Sequence, residues 1–181
     1  FAPSSAYGFA RVLKADSTVS IITDEITLGE NIMIYAILPE DATGEVYFSM
    51  VGYYSPRAKQ VENGQAFWYI SPLEAGRYTV VANYRGDANY NPANATFTLK
   101  VSQTKTILAV SINDASVNDR VVANVKLTDV YGQGITDKVS LNVNSRVYNI
   151  NVINGEGKLV IGRLNPGSYI FSAAYEGDGN Y

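Results

Sequence analysis

Short segments in which apolar and polar residues alternate make up most of this chain, and turn residues separate them. The pattern predicts strands near residues 18–23, 31–38, 45–50, 66–70, 76–84 and 95–101, and then near 106–112, 120–128, 138–143, 147–152, 157–162 and 168–175. Alternation with a period of two is typical of half-buried strands, and no long stretch has helical periodicity. Many short strands at this spacing predict an all-β fold of Ig-like, Greek-key β-sandwiches.

One signature occurs twice, at a constant displacement of 91 positions. It reads L-x-x-G-x-Y-x-x-x-A-x-Y-x-G-D-x-N-Y, and it starts at Leu73 in the first copy and at Leu164 in the second. Identities that recur at one offset indicate a tandem array of two units. We therefore predict two Ig-like domains at residues 14–102 and 103–181, preceded at residues 1–13 by a strand that completes a neighbouring unit.

The signature contains two structural devices. Its first part, Leu-x-x-Gly-x-Tyr, is typical of a tyrosine corner, in which the hydroxyl of Tyr78 or Tyr169 bonds to the backbone a few residues upstream. Its last part, Gly-Asp-x-Asn-Tyr, predicts a turn, because Gly adopts positive φ and Asp and Asn side chains bond to nearby backbone. The predicted turn residues are Gly86, Asp87 and Asn89 in the first copy and Gly177, Asp178 and Asn180 in the second.

The residues that follow the two copies differ. The first copy runs on into a further strand, whereas the second copy stands at the end of the sequence, and the first residues of the chain resemble that further strand. We therefore expect Phe1–Leu13 to complete residues 103–181 of another copy by strand addition, which repeated head to tail gives an open filament. The predicted contact residues are Phe1, Pro3, Ala6, Tyr7, Phe9 and Val12. Two periods of a longer covalent stalk would give the same junction, so that interpretation stays open.

Composition excludes several kinds of chemistry. The chain has no Cys and no His, which excludes disulfides, imidazole catalysis and Cys/His zinc sites. The carboxylates are scattered and no nucleophile–base set is present, so neither an enzyme nor a cofactor or metal site is predicted. A net charge of −3 without blocks of like charge predicts no nucleic-acid binding. No stretch reaches the roughly 20 apolar residues of a membrane span.

Two further features suggest contacts with other molecules. One is a predicted exposed aromatic surface, which would stack on sugars or on a neighbouring subunit and consists of Tyr53, Tyr54, Phe67 and Tyr69. The alternative is that these side chains only cover the core of a small domain. Asn94 begins the sequon Asn-Ala-Thr and is a candidate for N-glycosylation.

A tripeptide within the first turn, Arg85-Gly86-Asp87, is one that integrins recognise. The second copy has Glu176 in place of the arginine. Because only the turn-forming Gly and Asp recur, turn formation is the preferred interpretation.

The second unit carries Thr128–Ile135 (TDVYGQGI), Asn154–Lys158 (NGEGK) and Leu164–Tyr169 (LNPGSY). These motifs resemble the Ig-like repeats of prokaryotic surface proteins, above all the adhesin-like proteins of methanogenic archaea. The first unit departs from the pattern, since it inserts Gly52–Arg57. The resemblance implies an extracellular, non-enzymatic stalk or adhesin. Its partners would be copies of itself, flanking repeats, or the glycans of other cell surfaces.

Overall fold

The computed structural model describes residues 3–181, so the predicted contact residue Phe1 lies outside the described part of the chain. Fourteen strands and no helix are present in that part, which confirms the all-β class. The chain divides into two compact units, unit 1 (Phe1–Val101) and unit 2 (Ser102–Tyr181).

Unit 1 is a sandwich of two sheets. Its strands are β1 (Ser20–Ile22), β2 (Ile26–Thr27), β3 (Ile32–Ile37), β4 (Glu45–Met50), β5 (Tyr54–Gln60), β6 (Gln65–Ile70), β7 (Gly76–Tyr84) and β8 (Ala93–Ser102). One sheet has the order β1-β3-β6 and the other the order β2-β8-β7-β4-β5. The chain crosses between the sheets at each step from β1 to β4, from β5 to β6 and from β6 to β7, which is Ig-like Greek-key connectivity.

Unit 2 repeats this plan with fewer strands. They are β9 (Thr106–Ile112), β10 (Val121–Asp129), β11 (Asp137–Val143), β12 (Arg146–Val152), β13 (Glu156–Gly162) and β14 (Phe171–Ala174). One sheet has the order β9-β10-β13 and the other the order β12-β11-β14. β10, β11 and β14 therefore correspond to β3, β4 and β7.

Period-two alternation determines which side chains form each core. Ile34, Phe48 and Val80 are fully buried in unit 1, as are Val139 and Leu141 in unit 2. Trp68 and Ile70 also face the core of unit 1, as the alternation along β6 predicts.

The segment that the sequence presents as an insert belongs to a hairpin in unit 1. Gly52 lies in the turn, and β5 pairs with β4 in antiparallel register, with Tyr47 opposite Ala58. The alternation did not reveal β5, because the strand lies at a sheet edge and its side chains are mostly exposed. Pro56 is tolerated there, since an edge strand has one side without ladder hydrogen bonds.

Candidate strand-acceptor site

The candidate site is one edge of β14 in unit 2. Its counterpart β7 pairs with β4 on one side and with β8 on the other, from Gly76 opposite Val101 to Tyr84 opposite Ala93. β14 pairs with β11, and within residues 3–181 no strand pairs with its other edge. We call that other edge, along residues 167–175, the acceptor edge.

The inward side chains next to the acceptor edge are only partly covered. In unit 1, Tyr78, Val80, Ala82 and Tyr84 are 6%, 0%, 0% and 2% exposed. Their counterparts in unit 2 are all half-buried, namely Tyr169, Phe171, Ala173 and Tyr175. Apolar surface of this kind gains free energy when another chain segment covers it.

A cleft of about 490 Å³ opens where β14 begins. Its apolar lining includes Ile112, Leu164 and Phe171. In unit 1, β2 joins β8 in the sheet. The residues of unit 2 that match β2 include Ser116, which lines the cleft and forms a turn with Asp119.

The turn that follows β7 is built in the same way as the turn that follows β14. Gly86 has φ +80° and Gly177 has φ +79°. The Asp87 N–H donates to the Tyr90 carbonyl at 3.2 Å, and Asp87 Oδ1 accepts from the Asn89 and Tyr90 N–H groups at 2.7 and 2.8 Å. The bonds at Asp178 are 3.0, 2.7 and 2.9 Å long, with Asn180 and Tyr181 as partners.

Asp87 also binds to a second segment of unit 1. Its Oδ2 accepts from the Thr43 N–H at 2.7 Å and from the Thr43 hydroxyl at 2.9 Å. Hydrogen bonds from backbone N–H groups hold the pKa of Asp87 well below its usual range. The largest contribution comes from Thr43, and Asn89 and Tyr90 add to it. Both carboxylate oxygens are thus used inside the unit, and the Arg85 guanidinium lies 3.9 Å from the centroid of the Tyr47 ring. This geometry favours a structural turn over an integrin-type ligand.

Both signature tyrosines bond four residues upstream. The Tyr78 hydroxyl donates to the Glu74 carbonyl at 2.8 Å, and the Tyr169 hydroxyl donates to the Asn165 carbonyl at 3.0 Å. Burial raises the pKa of Tyr78. These bonds have the geometry of a tyrosine corner at the start of each strand.

Each unit also binds its own incoming chain at the signature turn. The Ala15 N–H donates to the Asn89 carbonyl at 2.8 Å in unit 1, and the Thr104 N–H donates to the Asn180 carbonyl at 3.3 Å in unit 2. The sequence analysis missed this contact, because residues 14–23 and 103–112 share no identical residue when they are aligned on it.

The preceding residue of each incoming chain makes a matching contact. Lys14 Nζ donates to the Asp87 carbonyl, and Gln103 Nε2 donates to the Asp178 carbonyl at 2.9 Å. Lys14 and Ala15 therefore take in unit 1 the places that Gln103 and Thr104 take in unit 2. Since Gln103 follows directly on β8, the residues before Lys14 correspond to β8.

The predicted donor residues lie in a segment that forms no strand. All of residues 3–13 are exposed, including Pro3 and Ala6, and Tyr7, Phe9 and Val12 are almost fully accessible to solvent. Three large apolar side chains thus make no packing contact within the described part of their own chain.

The four predicted contact aromatics do not all share one face. Phe67 and Tyr69 lie side by side on the outer face of β6 and are more than half exposed. Tyr54 lines the same shallow pocket as Tyr69 and packs edge-on against Trp68, with ring centroids 5.6 Å apart. Tyr53 packs instead against Tyr78 at 4.9 Å.

The sequon residue Asn94 lies on β8, opposite Asn83 of β7, and its side chain is exposed.

Within residues 3–181, no helix is long and apolar enough to span a membrane. The same residues contain no group of three or more Asp, Glu, His or Cys side chains that could hold a metal ion.

Comparison with known proteins gave no matching family model and no match among the curated proteins. Among solved structures, the chain is similar to the fibronectin(III)-like modules of Clostridium thermocellum CbhA, with 13% identity over 85% of this chain and 84% of that one and a TM-score of 0.36. It is also similar to a 1.5-MDa bacterial ice-binding adhesin, with 14% identity over 88% of this chain, 63% of that chain and a TM-score of 0.34.

Proposed function

We propose that this chain is a non-enzymatic structural repeat of an extracellular filament or stalk, whose copies are joined head to tail by strand addition. The observation that carries the proposal is the half-buried inward face of β14 beside the acceptor edge. An open edge above an apolar face accepts an extended segment, whose backbone supplies affinity and whose alternate side chains supply specificity.

The proposed donor is the segment before Lys14 in a second copy. Its large side chains are accessible, and its place relative to the next unit is that of β8. Donor segment and acceptor edge are different surfaces, so the contact is heterologous, and it produces a linear assembly when its rotation does not close a ring. A flanking repeat of one longer polypeptide could donate the same strand. The resemblance to archaeal surface proteins remains a prediction.

Proline substitution in the full chain tests strand addition. Neighbouring residues of a strand point their N–H groups to opposite sides, so Phe9→Pro combined with Ala10→Pro removes a ladder bond in any register. Because residues 3–13 are exposed and in no strand, both units should stay folded. We expect association, measured by light scattering over a concentration series, to weaken about 100-fold or more. The matched control Phe9→Ala keeps the N–H and should stay within about tenfold of the parent.

Two outcomes would overturn the proposal: a parent chain that is monomeric at every concentration, or a proline variant that assembles like the parent. The mass of native material under denaturing conditions separates the two sources of the strand. Single chains indicate donation between copies, whereas a much longer polypeptide indicates a covalent stalk.

Phe67 and Tyr69 support a second candidate function, the binding of surface glycans. Adjacent exposed rings on one rigid strand offer a stacking face to a sugar. Calorimetric titration with cell-surface oligosaccharides should give binding that Phe67→Ala with Tyr69→Ala abolishes, without any change in assembly. Equal binding by the variant would remove this candidate.

A further inference from the structure

The two units together suggest the register in which the donor segment would pair. β7 and β14 are related by the signature, and the incoming chains of the two units are related by the contacts of Lys14 and Gln103. In unit 1, Val80 lies opposite Phe97 and Thr79 lies opposite Thr98. Transferring these pairs places Gly8 opposite Phe171 and Phe9 opposite Ile170.

On the basis of the proposed function, we propose that residues 4–13 of a second copy pair antiparallel with the acceptor edge in this one register. Gly8 then lies against Phe171 inside the sandwich, and Phe9 lies against Ile170 on the outer face. Even-numbered donor residues face the core, and odd-numbered residues face outwards.

The inward pair is complementary in size. Unit 1 combines a small residue on β7, Val80, with a large one on β8, Phe97. The proposed joint combines a large residue on β14, Phe171, with the smallest residue, Gly8, so each pair places one phenylalanine opposite a smaller partner. Cores resist added volume, so a second large side chain opposite Phe171 would overfill the joint.

The outer pair is complementary in polarity. Unit 1 has Thr79 opposite Thr98 on its solvent-facing side. The matching residues of the joint are Ile170, which is 77% exposed, and Phe9, which is almost fully exposed. Pairing an aromatic with a β-branched residue across two strands stabilises a sheet and covers both side chains. A shift by one residue would instead turn Phe9 inwards and place Arg11 on the apolar side.

Cysteine cross-linking tests the register, because the natural chain has no cysteine. Under mild oxidation, Phe9→Cys with Ile170→Cys should give a ladder of linked chains on a non-reducing denaturing gel. Two control pairs are matched to it. In Phe9→Cys with Ser168→Cys, the two positions are diagonal neighbours in the proposed register. In Ala10→Cys with Ile170→Cys, the two side chains lie on opposite faces of the sheet. Both should link at least about tenfold more slowly.

Faster linking in either control would overturn the register. A disulfide within a single chain would overturn the second copy as donor. Light scattering on the same reduced samples separates this failure from failure of the proposed function. Assembly without the expected cross-link rejects only the register, whereas a monomeric parent rejects both.

A volume exchange provides an independent measurement. Gly8→Phe should weaken association about tenfold or more, and Phe171→Val should weaken it a few-fold, because the first overfills the joint and the second leaves a cavity. The double variant recreates the Val80–Phe97 pair of unit 1 and should return to within about threefold of the parent. Additive weakening in the double variant would mean that the two residues do not face each other.

Discussion

Units 1 and 2 share a signature but differ in how well that signature is covered. The φ angles of Gly86 and Gly177 differ by one degree, and the turn hydrogen bonds agree within a few tenths of an ångström. The strand before the turn is nonetheless buried in unit 1 and half-exposed in unit 2. The difference is β8, so the signature builds the turn and the corner, while the next strand supplies the burial.

The largest expected effect comes from weakening β8 in unit 1. Leu99 is 1% exposed, and Leu99→Ala should lower the free energy of unfolding of unit 1 by about 3–5 kcal/mol. Trp68 is the chain's single tryptophan and lies in the unit 1 core, so its fluorescence during denaturant unfolding reports this unit.

The neighbouring Thr98 is exposed on the same strand and provides the control. Thr98→Ala should change the stability by less than about 1 kcal/mol. Equal effects of the two substitutions would contradict the view that inward residues of β8 complete the core.

The turn glycines should come next in size. A Cβ on Gly86 would lie 2.6 Å from the Tyr90 carbonyl oxygen, and one on Gly177 would lie 2.5 Å from that of Tyr181. Each substitution to Ala combines this clash with an unfavourable positive φ, so we expect a cost of about 3 kcal/mol in either unit.

Two open glycines separate the clash from the backbone strain. Gly52 in unit 1 and Gly132 in unit 2 also have positive φ but have no atom within 4 Å of an added Cβ. Their Ala variants should cost only about 1–2 kcal/mol in thermal unfolding. If Gly86→Ala and Gly52→Ala lowered the stability by the same small amount, the clash within the turn would not contribute to the loss.

Protonation of Asp87 should destabilise unit 1 in acid. Because its pKa is lower in the folded state than in the unfolded state, its contribution is complete above its usual pKa of about 4 and is lost as the pH falls towards the folded value. The denaturant midpoint reported by Trp68 should therefore fall between pH 5 and pH 2 by more in the parent than in Asp87→Asn, which has no proton to gain. Parallel pH profiles would exclude Asp87 as the acid-sensitive group.

The sequence predicted the parts of the fold that depend on local pattern. Tyr78, Val80 and Ala82 are apolar at every second position, so the inward face of β7 could be assigned. β5 could not be predicted, because Pro56 and Arg57 interrupt the alternation on an edge strand whose side chains are mostly exposed.

The missed parts of the site depend on contacts between distant residues. Thr43 and Asp87 are 44 positions apart, and no local motif indicates their bond. The contact of Ala15 with Asn89 is likewise tertiary, and residues 14–23 and 103–112 share some apolar positions but no identical residue. Apolar positions such as Val19 and Ile21 match Leu108 and Val110 in that alignment.

The smallest expected effects come from the tyrosine corners, and they report on how well each corner is covered. Tyr78→Phe removes the part-buried bond of a buried ring to the Glu74 carbonyl, at a cost of about 1–2 kcal/mol. Tyr169→Phe in the monomer should cost only about 0.5 kcal/mol, because water can reach the half-buried corner and replace the hydroxyl.

Strand addition would cover Tyr169 and make the two corners alike. The cost of Tyr169→Phe should therefore rise towards that of Tyr78→Phe when the chain is assembled, while the cost of Tyr78→Phe stays constant. Hydrogen exchange along β7 and β14, measured below and above the concentration at which assembly begins, tests this directly. A Tyr169→Phe cost that does not depend on assembly would mean that the acceptor edge is completed somewhere other than at the corner.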